Sequence, residues 1–237
     1  MVLSLDFDPD CNPESSLRIL SVMTAMMQRS RVTFASGMAI GLATWLMASP
    51  ALAHHPLEGK LPSNFFEGLM SGIGHPVIGL DHLAFVIAVG LIAVNRAWGW
   101  QLPLMFVAGS LGGTAIHLQA VDLPLPEVMI SLSVLVLGAL LALKDKVNLW
   151  ILGAIAVAAG VFHGYAYGES VIGAEMTPLI AYLLGFGLIQ AGIALGTRAI
   201  AQVIDQNQPE SLALKLRFAG FAITGFGAAF LASAVLG

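Results

Sequence analysis

Charged residues and cysteine are both scarce in this sequence. Asp, Glu, Lys and Arg make up 10% of its 237 residues, whereas a soluble domain usually carries about 25%. The single cysteine, Cys11, lies in a polar N-terminal segment, so the predicted mature chain has no disulfide and no thiolate metal ligand. Several apolar runs approach the roughly 20 residues needed to cross a bilayer. The composition therefore predicts an all-α membrane protein rather than a soluble domain.

Several functional motifs are missing as well. No glycine-rich loop is followed by Lys and Ser or Thr, as a nucleotide-binding site would require. No His-Glu-x-x-His pair of a zinc peptidase occurs, and no lysine lies deep in an apolar run, where a retinal protein needs one. With a net charge of −4 and no basic patch, the sequence predicts no nucleic-acid partner.

The N-terminal part resembles a polar leader followed by a secretory signal peptide. Residues 1–28 are polar and acidic. Arg29 and Arg31 then precede an apolar segment, and an Ala-Leu-Ala sequence at 51–53 is typical of a cleavage site. We predict a polar leader at 1–28, a signal peptide at 29–53 and a membrane domain at 54–237. We expect translation to begin at Met23, Met26 or Met27, so that residues 1–22 reflect a misassigned start codon. An uncleaved first transmembrane helix is the alternative.

The membrane domain is predicted to be a polytopic helical bundle with six transmembrane helices. They are expected at about 64–95, 101–119, 125–143, 149–166, 178–203 and 212–236. The first would be about 48 Å long as a single helix, too long for a bilayer core of about 30 Å. Because glycines and Pro76 interrupt its first half, we expect a short outer helix, a break near Pro76, and a membrane-crossing part at 78–95.

Basic residues and small residues predict the orientation and packing of these helices. With the mature N-terminus outside, only Lys60 lies on outer segments, and the inner loops carry Arg96, Lys144, Lys146, Arg198, Lys215 and Arg217. This positive-inside bias places both mature termini outside the plasma (inner) membrane. GxxxG spacing favours close packing within the bundle or between copies in a homo-oligomer; it occurs at Gly109/Gly113, Gly160/Gly164 and Gly192/Gly196.

All six histidines fall on the outer side in this topology. His54 and His55 would begin the mature chain, and the other four lie near outer helix ends together with three carboxylates. Imidazole suits nickel, cobalt, copper and zinc, whereas purely carboxylate sites suit magnesium or calcium. The pattern predicts a divalent transition metal ion met from outside, with these candidate ligands: His75, Asp81, His82, His117, Glu127, His163 and Glu169.

Asp81 is the most informative of these residues. A lone carboxylate in an apolar helix costs about 2.5–3.5 kcal/mol on insertion scales, and a cation, a proton or a paired group offsets that cost. A structural hydrogen bond between helices is the alternative. His75 and His82 would lie about 10.5 Å apart along a regular helix. Either the break at Pro76 brings them together or they are successive stations on a path.

The remaining candidates have simpler alternatives. His163 lies between glycines that allow a helix end, and it is either a ligand or a hydrogen-bonded interface histidine. His117 is placed where it can extend to the lipid headgroups. Glu127 begins a helix, where an anion complements the helix dipole.

The segment from His75 to Leu83, with the pattern H-P-x-x-G-x-D-H, resembles the signature of the HupE/UreJ family. The run from Pro126-Glu127 through Ser133 to Gly138 and the Phe162-His163-Gly164 segment that ends in Glu169 agree with it. The resemblance implies a nickel or cobalt permease whose transport-site residues are His75, Asp81, His82, His163 and Glu169, with Glu127 as a weaker match. It also leads us to expect a second histidine in the last motif, where this chain has Tyr167.

We therefore expect a secondary transporter rather than an enzyme, with no prosthetic group and Ni²⁺ or Co²⁺ as its substrate; Cu²⁺ and Zn²⁺ fit the same ligands. The membrane potential supplies about 4.6 kcal/mol per 100 mV for a divalent ion. Two rivals stay open: a non-transporting metal-binding assembly factor of a membrane complex, and an intramembrane metalloenzyme.

Overall fold

The computed structural model describes residues 60–143, 147–207 and 209–236, without the side chains of Pro209 and Glu210. The predicted leader and signal peptide, His54, His55 and the lysines of the 144–146 loop lie outside the described residues. The described residues form seven α-helices and contain no strand. The helices are α1 (Phe65–Ile78), α2 (Leu80–Ile92), α3 (Gln101–Leu118), α4 (Pro126–Ala142), α5 (Leu149–Glu169), α6 (Met176–Asn207) and α7 (Pro209–Leu236).

Several of these helices have the length and composition of membrane spans. Among the described residues they are Leu149–Glu169, Met176–Asn207 and Ser211–Leu236, and the bent pair α1 and α2 passes the same test as one broken span. The shorter α4 is also apolar. The described part of the chain is thus all-helical and has the helices expected of a membrane protein. A count of six spans remains a prediction, although five of the predicted segments each correspond to one helix with similar bounds and the first corresponds to two.

The first predicted segment is broken, as expected, but at a different residue. The helix continues through Pro76 to Ile78, and α1 and α2 then meet at an angle of 80°. Gly79 forms the corner with φ −71° and ψ 101°, its N–H bonded to the His75 carbonyl and its own carbonyl accepting from Leu83 N. Proline removes only one helical hydrogen bond, whereas an extended residue at position 79 interrupts the helix itself.

Glycines allow three pairs of helices to pack at very close range. The most extensive helix contacts are α3 with α5, α4 with α7, and α1 with α6. At each of these interfaces a glycine lies directly against backbone of the partner helix: Gly164 against Ser110, Gly227 against Leu135, and Gly72 against Tyr182. A side chain at these glycines would overlap that backbone. Close backbone approach of this kind is the usual way in which membrane helices associate.

The three GxxxG pairs differ in their surroundings. Gly109 and Gly113 face α5, and Gly160 and Gly164 face α3, so two of the pairs form one interface within the chain. A Cβ at Gly192 or Gly196 would meet no atom within 4 Å among the described residues. The third pair is therefore not closely packed against a described helix, and its predicted role in a homo-oligomer stays a prediction.

An apolar core occupies the centre of the bundle. Buried side chains from α2 to α7 form it, among them Phe85, Val89, Phe106, Val134 and Leu152. At the end of α2, Arg96 donates to the carbonyls of Ile92 and Val147, which ties α2 to the start of α5. Partial burial lowers the pKa of the Arg96 guanidinium.

Candidate metal centre

Three histidines from three helices meet next to this apolar core. His75 lies near the end of α1, His82 in the first turn of α2 and His163 in the last third of α5, and each is at most 3% exposed. The ring centroids of His75 and His82 are 5.8 Å apart, and those of His82 and His163 are 4.8 Å apart. We call these three residues the histidine cluster.

The corner at Gly79 is what brings the first two histidines together. Seven residues along a straight helix would separate them by about 10.5 Å, which is much more than the 5.8 Å between their rings. The corner itself is crowded, because a Cβ at Gly79 would lie 2.6 Å from Cδ2 of His82. Of the two arrangements left open by the sequence, the structure has the one in which the break draws the histidines together.

Tyr167 fills the space beside the histidine cluster. Its ring centroid lies 4.9 Å from that of His75 and 4.6 Å from that of His82, and the residue is fully buried. This is the position where the sequence motif led us to expect a further histidine. A phenol therefore stands where a histidine would add a fourth imidazole to the cluster.

Hydrogen bonds on one side of the cluster determine which ring nitrogens carry protons. The Ser133 hydroxyl donates to the Ile130 carbonyl at 2.6 Å, so its oxygen accepts from Nε2 of His163 at 3.0 Å. Nδ1 of His163 is then the unprotonated nitrogen, and it accepts from Nδ1 of His82 at 2.7 Å. Because a neutral imidazole carries one proton, Nε2 of His82 has a lone pair.

The same reasoning applies to His75. The Tyr182 hydroxyl donates to the Tyr167 carbonyl at 2.9 Å, so its oxygen accepts from Nδ1 of His75 at 2.8 Å. The Ser170 hydroxyl lies 3.1 Å from the same nitrogen. Nε2 of His75 is consequently unprotonated as well. In both imidazoles Nδ1 is fixed by a hydrogen-bond partner, and Nε2 is the nitrogen that can act as a metal ligand.

The spacing of these two rings suits a shared metal ion. With a metal–nitrogen distance of about 2.1 Å and tetrahedral angles, two coordinated imidazole centroids lie about 5 to 6 Å apart. The 5.8 Å between His75 and His82 falls in this range. No three His, Cys, Asp or Glu side chains among the described residues already have the geometry of a metal site. A third imidazole ligand would require Nδ1 of His163 to leave its bond with His82.

The carboxylate predicted to be most important lies at the edge of this arrangement. Asp81 is half-buried in the first turn of α2, and its Oδ1 accepts from the backbone N–H of His82 at 2.8 Å. It also interacts electrostatically with Tyr167. Its charge is thus near the histidine cluster and complements the N-terminus of α2.

The structure places the other three predicted ligands elsewhere. His117, at the end of α3, packs its ring 4.1 Å from that of Tyr165, whose hydroxyl is 3.4 Å from Asp122. Glu127 and Glu169 are exposed, at the start of α4 and the end of α5. Next to Glu169, the buried Ser170 is the residue that contacts His75. Metal binding at these three positions stays a prediction.

Comparisons with known proteins identify the family of this chain. The family model described as HupE / UreJ protein matches residues 42–230. The chain belongs to the HupE/UreJ family. A curated relative, Protein HupE of Rhizobium leguminosarum bv. viciae, is 28% identical over 169 residues, which cover 66% of this chain and 86% of the relative. No solved structure matches the chain. The family resemblance read from the sequence motifs is confirmed.

Sequence reasoning overlooked several residues that surround the histidines of this HupE/UreJ protein. Ser170, Tyr182 and Gln190 are buried polar residues in or beside apolar helices. Each reads in the sequence as an ordinary polar residue at a helix contact. One signal was available for α6, because Tyr182 and Gln190 lie eight residues apart and therefore on one helix face.

Proposed function

We propose that this HupE/UreJ protein binds a divalent transition metal ion at the histidine cluster and carries it across the membrane. The observation that supports the proposal is the pair of buried imidazoles, His75 and His82, whose Nε2 atoms are both unprotonated and whose rings have the spacing of co-ligands. Buried polar groups in a membrane protein are costly, and they usually mark a substrate path.

Nickel or cobalt is the substrate that we propose. Imidazole nitrogen is a ligand of intermediate hardness that suits both ions. The HupE/UreJ resemblance also implies nickel or cobalt as the substrate. Copper and zinc would bind the same nitrogens, and copper binds most N/O sites more tightly. Selectivity must then come from geometry and from metal availability. The phenol of Tyr167 in place of an imidazole lowers the number of strong ligands and favours reversible binding.

Carboxylates and an outer histidine complete the proposed path. Asp81 supplies negative charge next to the cluster, whereas His117, Glu127 and Glu169 would capture the hydrated ion before it enters. Movement inward would be driven by the membrane potential, which contributes about 2.3 kcal/mol per charge per 100 mV. The inner membrane, with both mature termini outside, is the proposed location.

Cellular accumulation and equilibrium binding together test this proposal. Cells that express the wild type, His82→Ala or Asp81→Asn are assayed for nickel, cobalt, copper and zinc at equal amounts of membrane-inserted protein. We expect His82→Ala to abolish accumulation of the substrate metal and to weaken its binding to purified protein at least tenfold. Asp81→Asn should reduce both by less. If both variants accumulate every metal as well as the wild type, the assignment of the site is wrong.

A second function is supported by the apolar core below the cluster. Phe85 and Phe106 both pack on the His163 ring, and the fully buried side chains around them leave the site closed on that side. A protein that binds the ion without releasing it inward would be a metal-binding assembly factor. Purified protein in liposomes separates the two functions, because only a transporter moves the ion to an indicator inside.

A further inference from the structure

Two buried polar side chains beside the histidine cluster have no hydrogen-bond partner among the described residues. They are the hydroxyl of Tyr167 and both polar atoms of the Gln190 amide, and both residues are 0% exposed. The Gln190 amide lies close to the Tyr167 hydroxyl, but no hydrogen bond of good geometry joins the two. Buried polar groups are nearly always hydrogen-bonded in proteins, and in a membrane interior water is not freely available to replace a partner. These atoms therefore indicate a place where something polar binds.

The position of Gln190 relates this place to the cluster. Tyr182, Phe186, Gln190 and Ala194 follow one another at intervals of four on α6, and all are fully buried. Tyr182 contacts His75, and Phe186 packs on the Tyr167 ring. Gln190 lies about 12 Å beyond Tyr182 along the helix axis at 1.5 Å per residue. The next residue of this face, Ala194, contacts Gly90 in the apolar core.

We propose that Tyr167 and Gln190 form a second station for the same divalent metal ion, between the histidine cluster and the apolar core. The inference rests on the proposed function and deepens it. The amide oxygen of Gln190 and the phenol oxygen of Tyr167 can coordinate the ion directly. They can also accept hydrogen bonds from its bound water. The amide N–H groups donate to a water of the outer hydration layer.

The chemistry of this station suits the release of the ion. Neutral oxygen donors are harder and bind nickel or cobalt more weakly than imidazole does. An ion that moves from His75 and His82 to Gln190 therefore leaves its strongest ligands before it meets the apolar core. Passage through a membrane protein requires binding sites that are weak enough or numerous enough for the ion to leave.

The test combines nickel binding and nickel uptake for three variants. Purified protein in lipid nanodiscs is titrated with Ni²⁺ to count the sites, and the same protein in liposomes reports uptake. For Gln190→Leu we expect the high-affinity site to keep its affinity within about twofold, the weaker second site to disappear, and uptake to fall at least tenfold. Tyr167→Phe removes only the hydroxyl and should weaken the second site without abolishing it. Gln190→Glu should tighten the second site and slow uptake, because the ion is held there.

The matched control is Gln119→Leu, which removes an exposed amide that bonds only to its own helix, at Ala115. It should leave both sites and uptake unchanged. Wild-type uptake and an unchanged number of sites in Gln190→Leu would overturn the second station. If Gln190→Leu does not fold, Gln190→Glu decides: unaltered binding and uptake would then overturn it. Failure of the proposed function is different, since the wild type itself would neither bind nickel nor take it up.

Discussion

His82 and His163 are joined by a hydrogen bond of 2.7 Å between their Nδ1 atoms, although 81 residues separate them in the chain. The bond links α2 to α5 at the centre of the histidine cluster. Because Ser133 occupies the other nitrogen of His163, the proton of this bond belongs to His82. The positions of the protons, and thus which nitrogens can act as metal ligands, depend on a serine that cannot itself be a strong ligand.

Ser133→Ala should therefore weaken metal binding, although Ser133 is not itself a ligand. Without the serine oxygen, His163 can adopt its other tautomer. Nδ1 of His82 is then no longer fixed as the donor in the bond between the two histidines. The loss of one hydrogen bond of about 0.5–1.5 kcal/mol corresponds to a roughly two- to twelvefold weaker affinity for Ni²⁺. Titration calorimetry or a competing indicator measures it. Ser131→Ala, which removes a bond to the Glu127 carbonyl on the same helix, is the control. Equal affinities of both variants would refute the role of Ser133.

Gly79→Ala should displace His82. The new Cβ would lie 2.6 Å from Cδ2 of His82, so the ring must rotate away from His163 or the corner must open. Overpacking of this kind costs about 1–3 kcal/mol. We expect a lower melting temperature and at least a tenfold loss of nickel affinity.

The control for this substitution is Gly112→Ala in α3, where a Cβ meets no atom within 4 Å. It should change neither stability nor binding. A Gly79→Ala protein that binds nickel like the wild type would show that the position of His82 does not matter for the site.

Tyr167→His should increase the affinity for nickel and lower the rate of transport. The ring at this position already contacts His75 and His82, so an imidazole there supplies a further nitrogen. We expect nickel to bind at least tenfold more tightly and uptake into liposomes to become slower, because release limits it. Tyr167→Phe keeps the ring without adding a nitrogen and should not tighten binding. A Tyr167→His protein with unchanged affinity would place the ion away from this side chain.

Gly164→Ala should disrupt the interface between α3 and α5. Its Cβ would overlap the backbone of Ser110, and the two helices would have to separate next to His163. We expect the protein to lose thermal stability and nickel binding together. Gly192→Ala, at a position of the same GxxxG type with open space around it, should leave both unchanged. Equal melting temperatures for the two variants would contradict the close packing of these helices.

The bundle and its break were predictable because they depend on local properties of the sequence. Apolar runs bounded by polar residues predicted helices close to those observed, such as Pro126–Ala142 for the predicted 125–143. The break was placed three residues early, at Pro76, because the backbone angles of Gly79 cannot be read from composition. The H-P-x-x-G-x-D-H motif was sufficient to identify the family.

The details of the site depend on the rotation of each helix, which a sequence without a structure does not provide. Glu169 and Ser170 are neighbours at the end of α5, yet the carboxylate is exposed and the serine hydroxyl reaches His75. Proton positions are even less accessible to sequence reasoning. They follow from a chain of contacts through residues far apart in the sequence, such as Ile130, Ser133 and His163.

The three glycine-packed helix pairs have a mechanical consequence for the cluster. His75 belongs to the pair α1 and α6, His163 to the pair α3 and α5, and the Ser133 that orients it to the pair α4 and α7. Because the helices within each pair are tightly packed, relative motion would occur at the interfaces between pairs. The imidazoles lie at such an interface. Any tilt of one pair against another would change the distances between ligands, and an ion bound there would resist some tilts and favour others.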